Sequence, residues 1–202
     1  GLGQSTDIES SDQPGLVPDP AWMQQNDGRA WEAFDSVQLA IGQSNLQVTP
    51  LQVARLVAAV GNGGTLYMPQ MVLRLQNANG QATSEFKAQT QGTLPVSAEN
   101  LATIQQAMQG VVSDPRGTAY RKFLGLYLAG HPLKVAGKTG TAQSGQEKPH
   151  AWFAGYTFED APNKPDIAVV VLAEYQGEGS DWAAPIFRRI VESYYFGQPS
   201  SL

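Results

Sequence analysis

Val135-Ala136-Gly137-Lys138-Thr139-Gly140-Thr141-Ala142-Gln143, residues 135–143, admits two readings that lead to different folds. Gly137-Lys138-Thr139 is the tail of a phosphate-binding loop, whereas Lys138-Thr139-Gly140 is a substrate-binding strand. A phosphate loop needs a glycine five residues before its Gly-Lys pair, so that successive N–H groups wrap the phosphates, and a helix directly afterwards. Position 132 is proline, and Ala142-Gln143-Ser144-Gly145-Gln146-Glu147 has the composition of a hairpin turn followed by an aromatic strand. Both requirements fail, and the strand reading stands.

On a strand, alternate side chains share a face, so Lys138 and Gly140 lie on one side and Thr139 and Thr141 on the other. Twist at a sheet edge lets both sets line one cleft. Gly140 leaves room for an extended peptide to approach the backbone and pair with it as an added strand. The Thr139 and Thr141 hydroxyls are placed to donate to a carboxylate, and Lys138 supplies a fixed positive charge beside them.

Outward from this strand, the pattern predicts an α+β fold, an antiparallel β-sheet flanked by helices. Residues 133–141, 151–157 and 167–174 read as three short strands separated by polar turns, an antiparallel meander. Ile186, Phe187, Ile190, Val191 and Tyr194 recur at helical spacing after it, in a helix able to cover the sheet. Residues 167–173 are apolar at every position, as in a central strand covered on both faces. Upstream, Thr49 caps a helix that opens with Pro50, carries Leu51, Ala54, Val57 and Ala58 on one face and stops at Gly61-Asn62-Gly63-Gly64. Residues 66–75 read as a strand, 77–80 as a turn, and the residues to about 89 as the return strand. Ser97 caps a second helix, with Leu101, Ile104, Met108, Val111 and Val112 on one face, ended by Asp114-Pro115-Arg116-Gly117. Residues 1–48 read as an extended surface segment, its prolines opposing helix and Trp22, Trp31 and Phe34 pinning it. The chain thus divides into 1–48, the helices and hairpin of 49–132, and the sheet strands and last helix of 133–202.

Composition narrows the chemistry. The 202 residues carry 13 Lys+Arg against 18 Asp+Glu, a net charge of -5, which argues against a nucleic-acid partner. With no cysteine, disulfides, thiolate catalysis and thiolate zinc sites are all removed. His131 and His150 are too far apart for a local metal motif, so neither metal nor cofactor is expected. His131 reads as a loop residue. His150 and Trp152 read as packing and hydrogen-bonding residues, with cleft lining as the alternative; Arg188-Arg189 reads as the polar face of the last helix. The longest apolar run, 167–173, is far short of a membrane span, and the first residues resemble no signal peptide. An opening Gly-Leu-Gly without methionine is expected to lie inside a longer protein.

Several stretches in the same order resemble penicillin-binding proteins, the D,D-transpeptidases of bacterial cell-wall cross-linking. They are Leu39-Ala40-Ile41-Gly42-Gln43, Val48-Thr49-Pro50-Leu51-Gln52-Val53-Ala54, Gly61-Asn62-Gly63-Gly64-Thr65, residues 135–142, Ala151-Trp152-Phe153-Ala154-Gly155-Tyr156, and Gly179-Ser180 through Ala184-Pro185-Ile186-Phe187. The family's pattern has three parts: Ser-x-x-Lys with the nucleophile, Ser-x-Asn, and Lys-Thr-Gly. Only the third is matched in place. Ser84-Glu85-Phe86-Lys87 fits the first by letter, yet it follows Ile41 and falls in a polar hairpin, where the family has its motif on a buried helix well upstream. No Ser-x-Asn occurs. Ser44 and Asp7 stand where the family commonly has glycine.

The resemblance implies a beta-lactamase/transpeptidase-like fold, incomplete here, with this chain as the C-terminal part of the domain. It further implies a serine acyl-enzyme formed on a terminal D-Ala-D-Ala, acyl transfer to an amine, and trapping by beta-lactams. Lys138 and Thr141 take the catalytic roles, Lys138 through its charge and Thr141 through one of two oxyanion N–H donors. Thr139, Gly140 and Thr141 bind substrate. The implied partners are an N-terminal half carrying Ser-x-x-Lys and Ser-x-Asn, the peptidoglycan stem peptide and beta-lactams, on the extracytoplasmic side of a bacterial membrane, anchored by a segment outside this chain. A non-catalytic penicillin-binding sensor or scaffold, a D,D-carboxypeptidase and a beta-lactamase are the alternatives.

Overall fold

A computed structural model describes residues 1–8, 11–128 and 130–199, save the Leu128 side chain. The centre is a three-stranded antiparallel sheet of β7 (Val135–Ala142), β8 (His150–Thr157) and β9 (Ala168–Ala173), in that order. Lys138 pairs with Ala154, Gly140 with Trp152 and Thr141 with Ala151; Phe153 pairs in turn with Val171. The meander is the one expected, and its strand boundaries fall within two residues of those read from the sequence. The other strands among the described residues are β1 (Thr65–Tyr67), β2 (Arg74–Gln76), β3 (Ala82–Glu85), β4 (Thr90–Thr93), β5 (Tyr127–Leu128) and β6 (His131–Pro132).

One sheet face carries Ala151, Phe153 and Val171 against α6 (Ala183–Phe196), which buries Ala183, Ala184, Phe187, Val191 and Tyr195. The Phe153 and Phe187 rings lie 4.7 Å apart, both fully buried. The expected stripe on this helix is therefore rotated: Ile186 and Ile190 are each 41% exposed. Arg188 is no free surface charge either. Its guanidinium pairs with buried Glu192 at 2.7 Å and donates to the Lys122 and Leu124 carbonyls, tying α6 to α5 (Tyr120–Phe123).

The opposite face is covered in part by α3 (Pro50–Gly61), with Val60 packed among Ala136, Tyr156 and Leu101. Thr49 caps this helix, its hydroxyl accepting the Gln52 N–H, and Pro50 opens it, as expected from the local sequence. Beside it runs α4 (Ala98–Ser113), capped by Ser97. Leu101 and Val112 are buried on α4, but Ile104 faces out, and Gln105 turns inward to donate to the Val60 carbonyl.

The extended reading of residues 1–48 needs correction. Two helices interrupt it, α1 (Pro20–Asn26) and α2 (Ala33–Ala40). The prolines taken as breakers include Pro20, which follows Asp19; Asp19 caps the Trp22 N–H and Pro20 sits at the first helical position, where its missing N–H costs nothing. The anchor is Met23, fully buried, while Phe34 is 65% exposed. At α2, Asp35 is buried, accepts the Glu32 N–H and holds both guanidinium nitrogens of Arg29 at 2.7 Å. The segment is tied to α3 by buried Gln52, whose side-chain amide donates to the Gln4 and Pro14 carbonyls at 2.8 Å each.

The single strand expected over residues 66–75 is also divided. Pro69 lacks the N–H a continuous ladder needs; β1 pairs with β4, whereas β2 and β3 form a separate exposed hairpin around residues 77–80. Asp7 and Ser44, where the resemblance leads one to expect glycine, both adopt left-handed backbone, with φ of 60° and 67°.

Candidate active site

The Lys138-Thr139-Gly140 strand forms the sheet edge opposite β9, and its outer groups meet three segments remote in sequence. Gln43, just after α2, lies alongside: its amide donates to the Thr141 carbonyl at 3.1 Å and accepts the Gln143 N–H at 3.3 Å. In a strand the N–H and C=O of one residue point the same way. The Thr141 N–H therefore faces outward from the sheet, toward the cleft edge, as an oxyanion donor requires.

Thr139 and Thr141 share a face, as alternation demands. Thr139 Oγ1 is 2.9 Å from Thr118 Oγ1, in the turn between α4 and α5, and Thr141 Oγ1 donates to Glu178 at 2.7 Å. Lys138 is exposed, and its ammonium donates to the Thr139 carbonyl at 2.5 Å. At Gly140 an added Cβ would sit 3.1 Å from the Trp152 Cβ, a tight contact that Trp152 would have to yield to by a few tenths of an ångström.

The lysine face opens into a cleft of about 560 Å³. Ile41, Leu46, Val53, Trp152, Ala154 and Leu172 give it an apolar lining, with Lys138 to Gln143 along one rim. His150 and Trp152 both line this cleft. His150 Nδ1 also accepts the Tyr175 N–H at 3.2 Å, and its ring lies 4.5 Å from the Tyr175 ring, so packing, hydrogen bonding and lining all describe it.

Other singled-out residues lie apart from this group. Ser84 is on β3, every residue of which is exposed, in a two-stranded sheet separate from β7. His131 lies on β6 and is 3.3 Å from Glu159. Gln43, Thr118 and Glu178 carried no role in the sequence reading. Gln43 had a signal, its place after Ile41-Gly42; nothing local marks Glu178.

The family model described as the penicillin binding protein transpeptidase domain matches residues 1–192. The peptidoglycan D,D-transpeptidase MrdA of Haemophilus influenzae is 30% identical over 214 residues, covering 98% of this chain and 31% of that protein. Among solved structures, a chain of a peptidoglycan synthase complex that coordinates polymerization and crosslinking superposes with a TM-score of 0.80 at 30% identity, over 100% of this chain and 32% of its own length. Pseudomonas aeruginosa PBP2, solved with WCK 5153, superposes with a TM-score of 0.75 at 28% identity, over 100% of this chain and 43% of its own. The chain spans about a third of the length of the curated relative. With a mixed helix and antiparallel-sheet fold, a Lys-Thr-Gly edge strand in place and a family match over nearly its whole length, this chain belongs to the penicillin-binding protein transpeptidase family.

Proposed function

We propose that these residues form the Lys-Thr-Gly side of a peptidoglycan D,D-transpeptidase site whose nucleophilic serine comes from outside them. The observation that carries the reading is the Thr141 edge. One residue presents an outward N–H and a hydroxyl, on the strand that carries Lys138 and on the rim of an apolar cleft.

The serine oxygen bonds to the carbonyl carbon of the penultimate D-Ala, and the C–N bond to the terminal D-Ala breaks. The Thr141 N–H is one of two donors for the developing oxyanion, and such a donor contributes on the order of 3 kcal/mol to lowering the barrier. The Thr139 and Thr141 hydroxyls receive the terminal carboxylate of substrate or the carboxylate of a beta-lactam. Lys138 raises the positive potential around the serine, and Gly140 lets the bound peptide lie close to β7. Acyl transfer to an amine of a second stem peptide completes the cross-link.

The N-terminal half of the domain, bearing Ser-x-x-Lys and Ser-x-Asn, fills the apolar cleft and lies against the open edge of β9. The assembled enzyme works on the extracytoplasmic side of the membrane, held by an anchor elsewhere in the protein. Among the described residues no helix is long and apolar enough to cross a membrane.

Labelling with fluorescent penicillin tests this. In the complete protein, covalent label is expected on a serine outside residues 1–202, formed more slowly in Lys138→Ala. Label on Ser84, or a complete protein that stays dark, overturns the reading.

A further inference from the structure

Glu178 lies in the loop between β9 and α6, and its carboxylate is bonded to the hydroxyl that the transpeptidase reading assigns to substrate. The loop is held in place by its backbone. Gly177 N–H donates to the Pro149 carbonyl at 3.0 Å, Tyr175 N–H to His150 Nδ1 at 3.2 Å, and Ala184 N–H to the Gly179 carbonyl at 2.9 Å. Gly179 rests directly on the Gly140–Trp152 pair, where a Cβ would collide with the Trp152 and Gly140 carbonyl oxygens. Asp181 adds an ion pair to Lys122 at 3.3 Å.

A hydroxyl has one proton to give. While Thr141 donates it to Glu178, the remaining lone pairs of Thr141 accept, and the negative charge behind them attracts a cation and repels an anion. Thr139, two residues back on the same face, is paired instead with the neutral Thr118 hydroxyl. The two threonines thus present different electrostatic surroundings to one ligand.

We propose that Glu178 is the acceptor-binding residue, holding the primary ammonium group of the amine that receives the acyl chain. The inference rests on the transpeptidase reading and deepens it. The Thr141 hydroxyl has two users in turn. The donor's carboxylate first displaces Glu178 from it and departs with the released D-Ala; Glu178 then returns, opposing rebinding of that anion and drawing in the ammonium. The ammonium loses one proton to water, and its nitrogen lone pair forms the C–N bond to the acyl carbon. The C–O bond to the serine breaks, and the second proton ends on the serine oxygen. Because Thr141 also supplies the oxyanion N–H, a cation held at its hydroxyl lies beside the reacting carbonyl.

The test uses the complete transpeptidase with two probes, benzylpenicillin for acylation and a thioester donor partitioning between D-alaninamide, a primary amine that carries no carboxylate, and water. In Glu178→Gln, penicillin acylation should rise about threefold, while the ratio of amide to hydrolysed product falls about fivefold, modest factors because the loop residue is exposed and screened. Glu178→Lys should enlarge both changes, and added salt should shrink them. A residue that merely props Thr141 would lower both quantities together, and that result overturns the inference, as does an unchanged amide ratio. Wild-type enzyme that penicillin does not acylate overturns the transpeptidase reading and this inference with it; an acylated wild type whose variants keep the wild-type ratio overturns the inference alone.

Discussion

Gln43 holds the Thr141 carbonyl across 98 residues of sequence, taking the place that a neighbouring strand would fill on the outer side of β7. Its second bond, from the Gln143 N–H, makes the side-chain amide a one-residue substitute for a β-ladder. Gln43→Ala should free both groups, at about 1 kcal/mol for each neutral hydrogen bond. Amide exchange at Gln143 should quicken several-fold, and acylation of the complete enzyme should slow as the Thr141 peptide loosens. Unchanged Gln143 exchange would show that the contact does not restrain the strand.

Ser44 occupies left-handed backbone at φ 67°, which disfavours any residue with a Cβ by about 1–2 kcal/mol. Glycine there removes the strain and gives back part of the gain as unfolded-chain entropy. Ser44→Gly should therefore stabilise the complete domain by roughly 0.5–1 kcal/mol, read from the urea midpoint. Asp7→Gly should gain less despite a φ of 60°, because it gives up the bond from the Gln91 amide at 2.9 Å.

Lys138 and Thr141 should separate in kinetics. Lys138→Ala removes a charge from a cleft that the other half of the domain would partly dry, and acylation should fall at least tenfold. Thr141→Ala removes one hydroxyl but keeps the oxyanion N–H, so the loss with carboxylate-bearing drugs should be nearer threefold. Equal acylation by wild type and Lys138→Ala would refute the assignment.

The Arg29 guanidinium, followed by the Glu32 N–H, holds the Asp35 carboxyl down at about 2, below its ordinary value near 4. A depressed folded pKa stabilises above the unfolded value, and the contribution is lost as pH falls from about 4 through 2. Asp114, held at about 2 by the Arg116 side chain, adds to the same window. Asp35→Asn should flatten the drop in the urea midpoint between pH 4 and 2. A slope identical to wild type would count against the Arg29 contact.

β9 ends the sheet, with its outer backbone unpaired by the strands of β7–β9, although its residues are apolar throughout. Such an edge invites pairing with another chain. Residues 1–202 alone should scatter light as species heavier than 21.7 kDa, and adding the N-terminal half should give a uniform 1:1 complex. A monodisperse monomer with the β9 amides fully protected from exchange would show that the edge needs no partner.

What could be read before the structure was local. Thr49-Pro50 and Ser97 announce their helices, and alternation with short turns lays out β7 to β9, because caps, turns and strand period act within a few residues. The helix α1 was hidden only because Pro20 signals a break or a start according to the Asp19 before it. The site behaved differently. Lys138, Thr139 and Thr141 are legible from one motif, yet their partners Gln43, Thr118 and Glu178 lie 98, 21 and 37 residues away and meet them only through loop paths that no short window contains.

Gln52 gives the described residues of the N-terminal segment, 1–8 and 11–15, a mechanical status that their mostly polar, mostly exposed side chains conceal. Its amide is the common fastening for the Gln4 and Pro14 carbonyls, while its own backbone belongs to the first turn of α3. Peeling the segment away would strand a buried donor against the helix. The N-terminal strap and α3 therefore behave as one lever arm: a pull applied near Gly1 is transmitted to the helix that covers the sheet, and the strap cannot serve as a slack tether.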